Sequence, residues 1–372
     1  MGFKINSKLK NKLNLKNNFY KNIFILQKEW GRKLIKKSVL LSAVENKMPS
    51  FSLSKIEIHP AGECNFNCQF CYGALLAPKN RTNLPAQVVK TMLDDVKQNL
   101  SNENPLIILS GFYSEPFSNP EIKEIIQTIG DHNYRLGLYT NGVLIDKESI
   151  ELIMNVAKNS KNELPSYVSF NVSGAIDNNC FEKQVKIITA FSKAKKKFKL
   201  GSDKFLINTP ILVEDFSKKG IKNLEKNIKL LKKSGAENIR LSIPWEKLTL
   251  NLNNNNLRLQ NDDFSKLKKI ANKFKYVYLR ENLPQGQYNK CYALARSIAI
   301  SPEGLIFPCP ETCTPLLSEK FSYGSILNEK LSNIWRGKKH NDLFGKLIPK
   351  NEHCKCCIIN NKFNSFCSEV IE

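Results

Sequence analysis

The sequence has no run approaching the ~20 consecutive apolar residues of a membrane-spanning helix. Its first residues lack the apolar stretch and small-residue cleavage site of a secreted precursor. Neither a membrane span nor secretion is expected, and a cytoplasmic location is. Acidic side chains are scarce: 34 Asp and Glu face 57 Lys and Arg, for a formal net charge of +23. Also lacking is an even complement of cysteines. There are eleven, in a chain of 372 residues that is far too large to need disulfide staples. Their clustering points to metal in a reducing compartment. Hydrophobic residues make up 41%, enough for a large core and against wholesale disorder. The length suits two or three domains, or one barrel of about 250 residues with an appendage.

The charge is uneven. Residues 1–50 carry twelve Lys and Arg against Glu29 and Glu45, a net +10. Leu9, Leu13, Phe19, Ile23, Leu26, Trp30 and Leu34 fall among them at rough helical spacing, so a basic amphipathic helix or two is expected. Such a segment could bind an acidic peptide, RNA or an anionic membrane, or form a solvated extension packed on the main body.

From residue 55 onward, short β-branched or apolar runs alternate with longer helical patterns. Strands are expected at 55–59, 106–109, 134–139, 167–172, 205–212, 238–243 and 276–279. Helices are expected between them at 85–100, 120–129, 147–157, 181–195, 221–233 and 263–274. Strict alternation implies parallel strands with helical crossovers, and six such units suit a partial or full barrel. That topology gathers chemistry at the C-terminal ends of the strands. The punctuated segments sit there: 61–72, 110–116 and Thr140-Asn141-Gly142, which alone would be an ordinary turn. The Asn-rich stretch 251–256 reads as a surface loop, and Cys180 as a buried structural thiol.

Cys64, Cys68 and Cys71 have the spacing C-x3-C-x2-C. Three thiolates on one loop can each hold a corner of an iron–sulfur cube and leave the fourth iron open to a small molecule. A structural zinc site would need a closed tetrahedron, here with His59 as the fourth ligand, and ferredoxins supply four cysteines.

This spacing after the first strand of a partial barrel, with Phe70 before the third cysteine, resembles the signature of the radical S-adenosylmethionine (SAM) superfamily. The resemblance implies a 4Fe–4S cluster on Cys64, Cys68 and Cys71 whose open iron binds SAM. It further implies reductive cleavage of SAM to a 5′-deoxyadenosyl radical that abstracts a substrate hydrogen. The segment 110–117 is similar to the family's Gly-Gly-Glu-Pro loop, with Ser114 where glycine is usual and one residue more. Implied SAM contacts are Phe70, Tyr72, Gly111, Ser114, Glu115, Thr140, Asn141, Ser169, Asn171 and Arg240, the last as a partner for the SAM carboxylate. For Ser169, Asn171 and Arg240 a structural role is equally compatible with the sequence.

Near the C-terminus, Cys291 and Cys309 flank a hairpin pattern at 298–307 turning at Pro302-Glu303-Gly304. Cys354, Cys356, Cys357 and Cys367 follow. C-x(9–15)-G-x4-C with a later C-x2-C resembles a SPASM or shorter twitch extension, and residues 323–326 and 334–335 resemble its linking segment. In a full SPASM pattern a cysteine would stand at Phe363, and the chain ends five residues after Cys367. One auxiliary 4Fe–4S cluster on Cys291, Cys309, Cys354 and Cys357 is the preferred implication. A rival set takes Cys291, Cys309 and Cys367 with Cys313 or another thiol; Cys356 could replace a neighbour, and zinc is an alternative metal.

The expected architecture is therefore α/β: a basic helical extension at 1–50, a partial (β/α)6 barrel at 51–282, and a small cysteine-rich hairpin/helix domain at 283–372. The expected function is oxidation or cross-linking of a peptide or protein side chain, with a flavodoxin or ferredoxin as electron donor. The alternatives are a dehydrogenase of a small sugar or aminocyclitol, and a basic RNA-binding or RNA-modifying metalloprotein. The charge permits nucleic acid, but no RNA-reading motif is present.

Overall fold

The computed structural model describes residues 53–68, 71, 77–100, 105–160, 164–173, 178–243, 261–279 and 291–346. The expected N-terminal helices and the Asn-rich loop lie outside these residues.

The chain alternates strand and helix: β1 (Lys55–Ile58), α1 (Ala86–Asp95), β2 (Leu106–Leu109), α2 (Ile122–Asp131), β3 (Arg135–Thr140), α3 (Lys147–Asn159), β4 (Ser166–Phe170), β5 (Val172–Ser173), α4 (Asn178–Lys197), β6 (Phe205–Leu212), α5 (Lys218–Ser234), β7 (Asn238–Ser242), α6 (Asn261–Lys273) and β8 (Val277–Leu279). Strands β1, β2, β3, β4, β6, β7 and β8 pair in that order, all parallel. β5 adds two residues alongside β6.

The helices cover one face of this sheet. Ile122, Ile125, Ile126 and Ile129 form the buried stripe of α2 at i, i+3, i+4 and i+7. Where β4, α4 and β6 meet, Phe170 packs edge-on against Phe191, which stacks on Phe205. Each fully buried side chain of this size contributes about 1.5–3 kcal/mol. Asp146 caps α3 by accepting from the Ser149 amide at 2.8 Å, and Ser217 caps α5 through the Gly220 amide at 3.0 Å. Gly235 ends α5 at φ +111, as its sequence position predicts.

Two elements depart from the sequence reading. The helix expected over 85–100 is α-helical only to Asp95 and continues as a π turn, Val96–Leu100. At that junction the Asp95 carboxylate is held from outside the helix, by the Ser332 amide and hydroxyl at 2.7 and 2.8 Å. The strand expected over 167–172 breaks at Asn171, whose carbonyl is taken by a helix side chain instead of the ladder.

The C-terminal hairpin forms at its expected place, β9 (Ser297–Ile300) and β10 (Leu305–Phe307), with Gly304 at φ +75 in its turn. β9 also pairs in parallel with β1, and β11 (Gly324–Ser325) pairs with β10. The cysteine-rich segment thus extends the sheet of the barrel itself. Tyr323, Ile334 and Trp335 of the linking segment are buried beneath the hairpin. His340 lies among them between Tyr323 and Trp335, accepting from the Arg336 amide and donating to the Leu294 carbonyl at 2.9 Å. No helix among the described residues is long and apolar enough to cross a membrane.

Candidate functional site

The three-cysteine loop leaves the C-terminal end of β1, where Pro60 ends the strand, and is braced at successive points. Asn119 donates to the carbonyls of Pro60 and Leu84 at 2.7 and 2.9 Å. The Gly62 amide donates to Asn83 Oδ1 at 3.1 Å, and a Cβ at Gly62 would stand 2.3 Å from the Thr82 carbonyl oxygen, so glycine is required. The Glu115 amide donates to the Glu63 carbonyl at 2.9 Å, and Asn141 Nδ2 donates to Asn65 Oδ1 at 2.8 Å. Loops after three successive strands therefore hold Cys64, Cys68 and Cys71.

These cysteines are unpaired and half-buried. Burial and the neighbouring Cys71 and Cys64 sulfurs push the Cys68 thiol up to about 11, and burial raises Cys64 as well. Three thiols on one braced loop are the donor type that an iron–sulfur group uses, and its metal would supply the positive charge that favours the thiolates. His59, the fourth ligand that a zinc site would need, is buried, with Nε2 3.6 Å from Glu57 Oε1.

Glu115 lies at the centre of the mouth. Burial raises its carboxyl to about 7, against hydrogen bonds from the Asn141 amide, the Thr140 hydroxyl and the Phe117 amide. Both oxygens are thus engaged by the chain. Gly111 is required because a Cβ there would meet the Ser114 carbonyl oxygen at 1.9 Å; the Ser114 hydroxyl is buried without a hydrogen-bond partner. Thr140 also accepts from the Gly142 amide at 2.9 Å.

Ser169 is buried on β4, in register between Tyr139 and Asn208. Asn171 is exposed at the mouth, and its amide donates to the Thr140 carbonyl. On β7, Ile239 and Leu241 face the helices, so Arg240 faces the interior, where its Nε is buried with no hydrogen-bond partner. That orphaned donor suits a carboxylate of a bound molecule. Phe70 and Tyr72 lie outside the described residues.

Three residues of this mouth are absent from the sequence reading. Asn65 and Asn119 brace the loop as above. Gln184 of α4, fully buried, donates to the carbonyls of both Asn141 and Asn171 at 2.9 Å. Nothing in its helical pattern distinguishes it from an ordinary polar position. Cys180 differs from expectation: it is half-buried at the start of α4 and lies within electrostatic reach of Cys68.

In the hairpin, Cys291 and Cys309 are half-buried, and both act electrostatically on the buried Tyr323 hydroxyl, which has no hydrogen-bond partner. The fold thus brings near one side chain two cysteines with seventeen residues between them. Cys313 is fully buried, and burial with nearby Glu57, Glu303 and Cys309 keeps its thiol protonated. Cys354, Cys356, Cys357 and Cys367 lie outside the described residues.

Two family models match the chain: the radical SAM superfamily over residues 58–203 and the SPASM iron–sulfur cluster-binding domain over residues 291–358. A curated relative, an AdoMet-dependent heme synthase of Methanosarcina barkeri, is 29% identical over 182 residues. The match takes in 46% of this chain and 45% of the relative, so it spans less than half the length of the curated protein. Among solved structures, SuiB of Streptococcus suis bound to the precursor peptide SuiA superposes with a TM-score of 0.57 at 14% identity, covering 86% of this chain and 73% of that one. Native anSMEcpe with bound AdoMet and a peptide gives 0.54 at 16% identity, covering 84% and 93%. These likenesses show a shared fold. Residues 58–203 are a radical SAM domain and residues 291–358 a SPASM iron–sulfur cluster-binding domain.

Proposed function

We propose that this protein uses SAM and a 4Fe–4S cluster on Cys64, Cys68 and Cys71 to oxidise or cross-link a side chain of a peptide substrate. The observation that carries the reading is the mouth itself: three half-buried thiols braced by the loops after β1, β2 and β3, with the orphaned Arg240 Nε facing the same interior. The radical SAM domain implies the 4Fe–4S cluster and SAM, and the SPASM domain implies auxiliary iron–sulfur chemistry. When bound, these groups supply a 5′-deoxyadenosyl radical and a route for removing an electron.

The chain's own residues hold and orient. In this reading Arg240 takes the carboxylate of SAM, and the Ser114 and Asn171 side chains present polar groups to its amino acid or ribose portion. Glu115 acts through Thr140 and Asn141 to keep the turn after β3 against the cysteine loop. The barrel wall excludes water from the site. Cys291 and Cys309, with Cys354 and Cys357, hold one auxiliary cluster. The basic segment 1–50 recruits an acidic stretch of the peptide.

A second reading has its own support: the 29% identity to an AdoMet-dependent heme synthase favours a tetrapyrrole as substrate. Anaerobically reconstituted protein is expected to hold close to eight irons. Replacing Cys64, Cys68 and Cys71 together with Ala should leave about four and abolish 5′-deoxyadenosine formation, and SAM cleavage by that variant would refute the assignment. Deleting residues 1–50 should cripple turnover of an acidic peptide. Efficient turnover of a tetrapyrrole by the truncated chain would favour the second reading.

A further inference from the structure

The outer helices of the barrel divide by charge. Helices α1, α2 and α3 carry four lysines against six acidic residues. Helices α4, α5 and α6 carry seventeen lysines against four, which is more than half of the chain's +23. These three helices are neighbours: Lys273 of α6 pairs with Glu225 of α5 at 2.7 Å, and Gly235 at the end of α5 abuts Ser192 of α4.

On α5 the arrangement is regular. Lys218, Lys222, Lys226, Lys229 and Lys233 recur at three- and four-residue spacing, all exposed, opposite the buried Leu224, Ile228 and Leu231. They form a ladder about 22 Å long. None of the five is in an ion pair among the described residues, since Glu225 is engaged by Lys273. Like charges at this spacing oppose the helix, and at its first turn, among the described residues, only the preceding Asp215, whose carboxylate lies against Gly220, faces Lys218 and Lys219 with negative charge. The ladder works against folding, so an external counter-charge gives it a physical rationale.

The face also reaches the cysteine loop. Helix α4 begins after β5 and α5 after β6, at the C-terminal ends of the parallel strands, which is the end at which the three-cysteine loop leaves β1. A partner seated on the ladder would have the three-cysteine loop at its edge.

We propose that the lysine ladder of α5, flanked by α4 and α6, is the docking surface of an acidic protein that carries a one-electron redox centre and reduces the Cys64/Cys68/Cys71 cluster. This rests on the radical SAM reading above. In the step, the donor loses one electron and the cluster gains it, with no bond made or broken. Lysine point charges without any arginine suit fast, salt-sensitive, transient docking better than the bidentate grip of phosphates. The half-buried Tyr276 and Phe274 rings on this face lie under Lys232 and Lys273, so RNA is a direct competitor of the docking reading.

The test uses full-length reconstituted protein, flavodoxin hydroquinone or a reduced 2Fe–2S ferredoxin as donor, and dithionite as a small-molecule reductant. The ladder variant Lys222→Glu/Lys226→Glu/Lys229→Glu is compared with a control, Lys158→Glu/Lys320→Glu/Lys330→Glu, of equal charge change elsewhere. Expected is at least a tenfold slower cluster reduction by the protein donor in the ladder variant, followed by electron paramagnetic resonance. A matching loss of calorimetric affinity at 50 mM salt should accompany it, with dithionite reduction unchanged and the control within twofold of the parent. Equal effects of the two variants, or donor-driven reduction at the parent rate, would overturn the proposal. So would tighter, ladder-dependent binding of a 20-base-pair RNA duplex, which would make the face a nucleic-acid surface. Failure of the parent to cleave SAM even with dithionite would instead bring down the reading beneath it, while donor affinity still reports on the surface.

Discussion

The hydroxyl of Tyr113, in the loop after β2, donates to the Glu303 carboxylate in the turn of the β9–β10 hairpin at 3.1 Å. This bond joins the loop resembling the Gly-Gly-Glu-Pro segment to the SPASM hairpin, across 190 residues of sequence. Burial and then the Glu303 charge keep the phenol protonated at any physiological pH, so the donor is permanent. Tyr113→Phe should therefore loosen the hairpin against the mouth. A loss of about 1–3 kcal/mol is expected, a charge-assisted bond in a half-buried site. Chemical denaturation of the variant checks it, and faster amide exchange at residues 111–115 and 301–304 should accompany it.

Glu115 should make stability fall with rising pH. Its folded-state pKa is raised to about 7 from the ordinary 4.5, so between those values the folded chain binds more protons than the unfolded one. Its contribution is fully present below about 4.5 and is lost as pH rises through 7, by an amount on the order of 3 kcal/mol. Glu115→Gln keeps an acceptor for the Asn141 amide and removes the titration. The difference in urea midpoint between variant and parent should therefore grow from pH 4.5 to pH 7.

His340 should act in the opposite sense. Burial lowers its pKa to about 4 from 6.5, and its neutral ring accepts from the Arg336 amide. The stability it lends is fully present above about 6.5 and falls away as pH drops toward 4. Thermal melts of parent and His340→Gln should converge across that window, with the parent ahead at pH 7.

Gln184→Leu would leave the buried carbonyl of Asn141 without its donor, and would also release the part-buried carbonyl of Asn171. A destabilisation of roughly 1–3 kcal/mol is expected, chiefly from the Asn141 carbonyl. Because Asn141 also holds Asn65 of the cysteine loop, SAM affinity measured by calorimetry on the reconstituted protein should weaken. Gln184→Glu retains the shape but cannot donate when ionised, and should match the Leu variant at pH 8 more closely than at pH 5.

Much of the barrel was legible in the sequence, because alternation of strand and helix is a local property. The strands at 106–109 and 205–212 stand at their expected residues, and most other elements begin or end within three. The C-x3-C-x2-C loop and the hairpin turn at Pro302-Glu303-Gly304 were legible for the same reason: short spacing and turn chemistry are written in adjacent residues. Neither the break at Asn171 nor the π turn after Asp95 could be read, since each depends on a partner far along the chain, Gln184 in one case and Ser332 in the other.

The sequence by itself pointed to the class of chemistry, through a C-x3-C-x2-C spacing that resembles the radical SAM signature, and to the parallel topology that sets these cysteines at the strand ends. Tertiary structure alone decided what surrounds them. It turned Glu115 away from simple solvent contact into a strut between Thr140 and Asn141, and laid β9 against β1 so that the SPASM hairpin shares the barrel's sheet. It also gathered lysines from three helices onto one face. These are relations between residues tens to hundreds of positions apart, and hydrogen bonding, burial and charge fix them only once the chain has closed on itself.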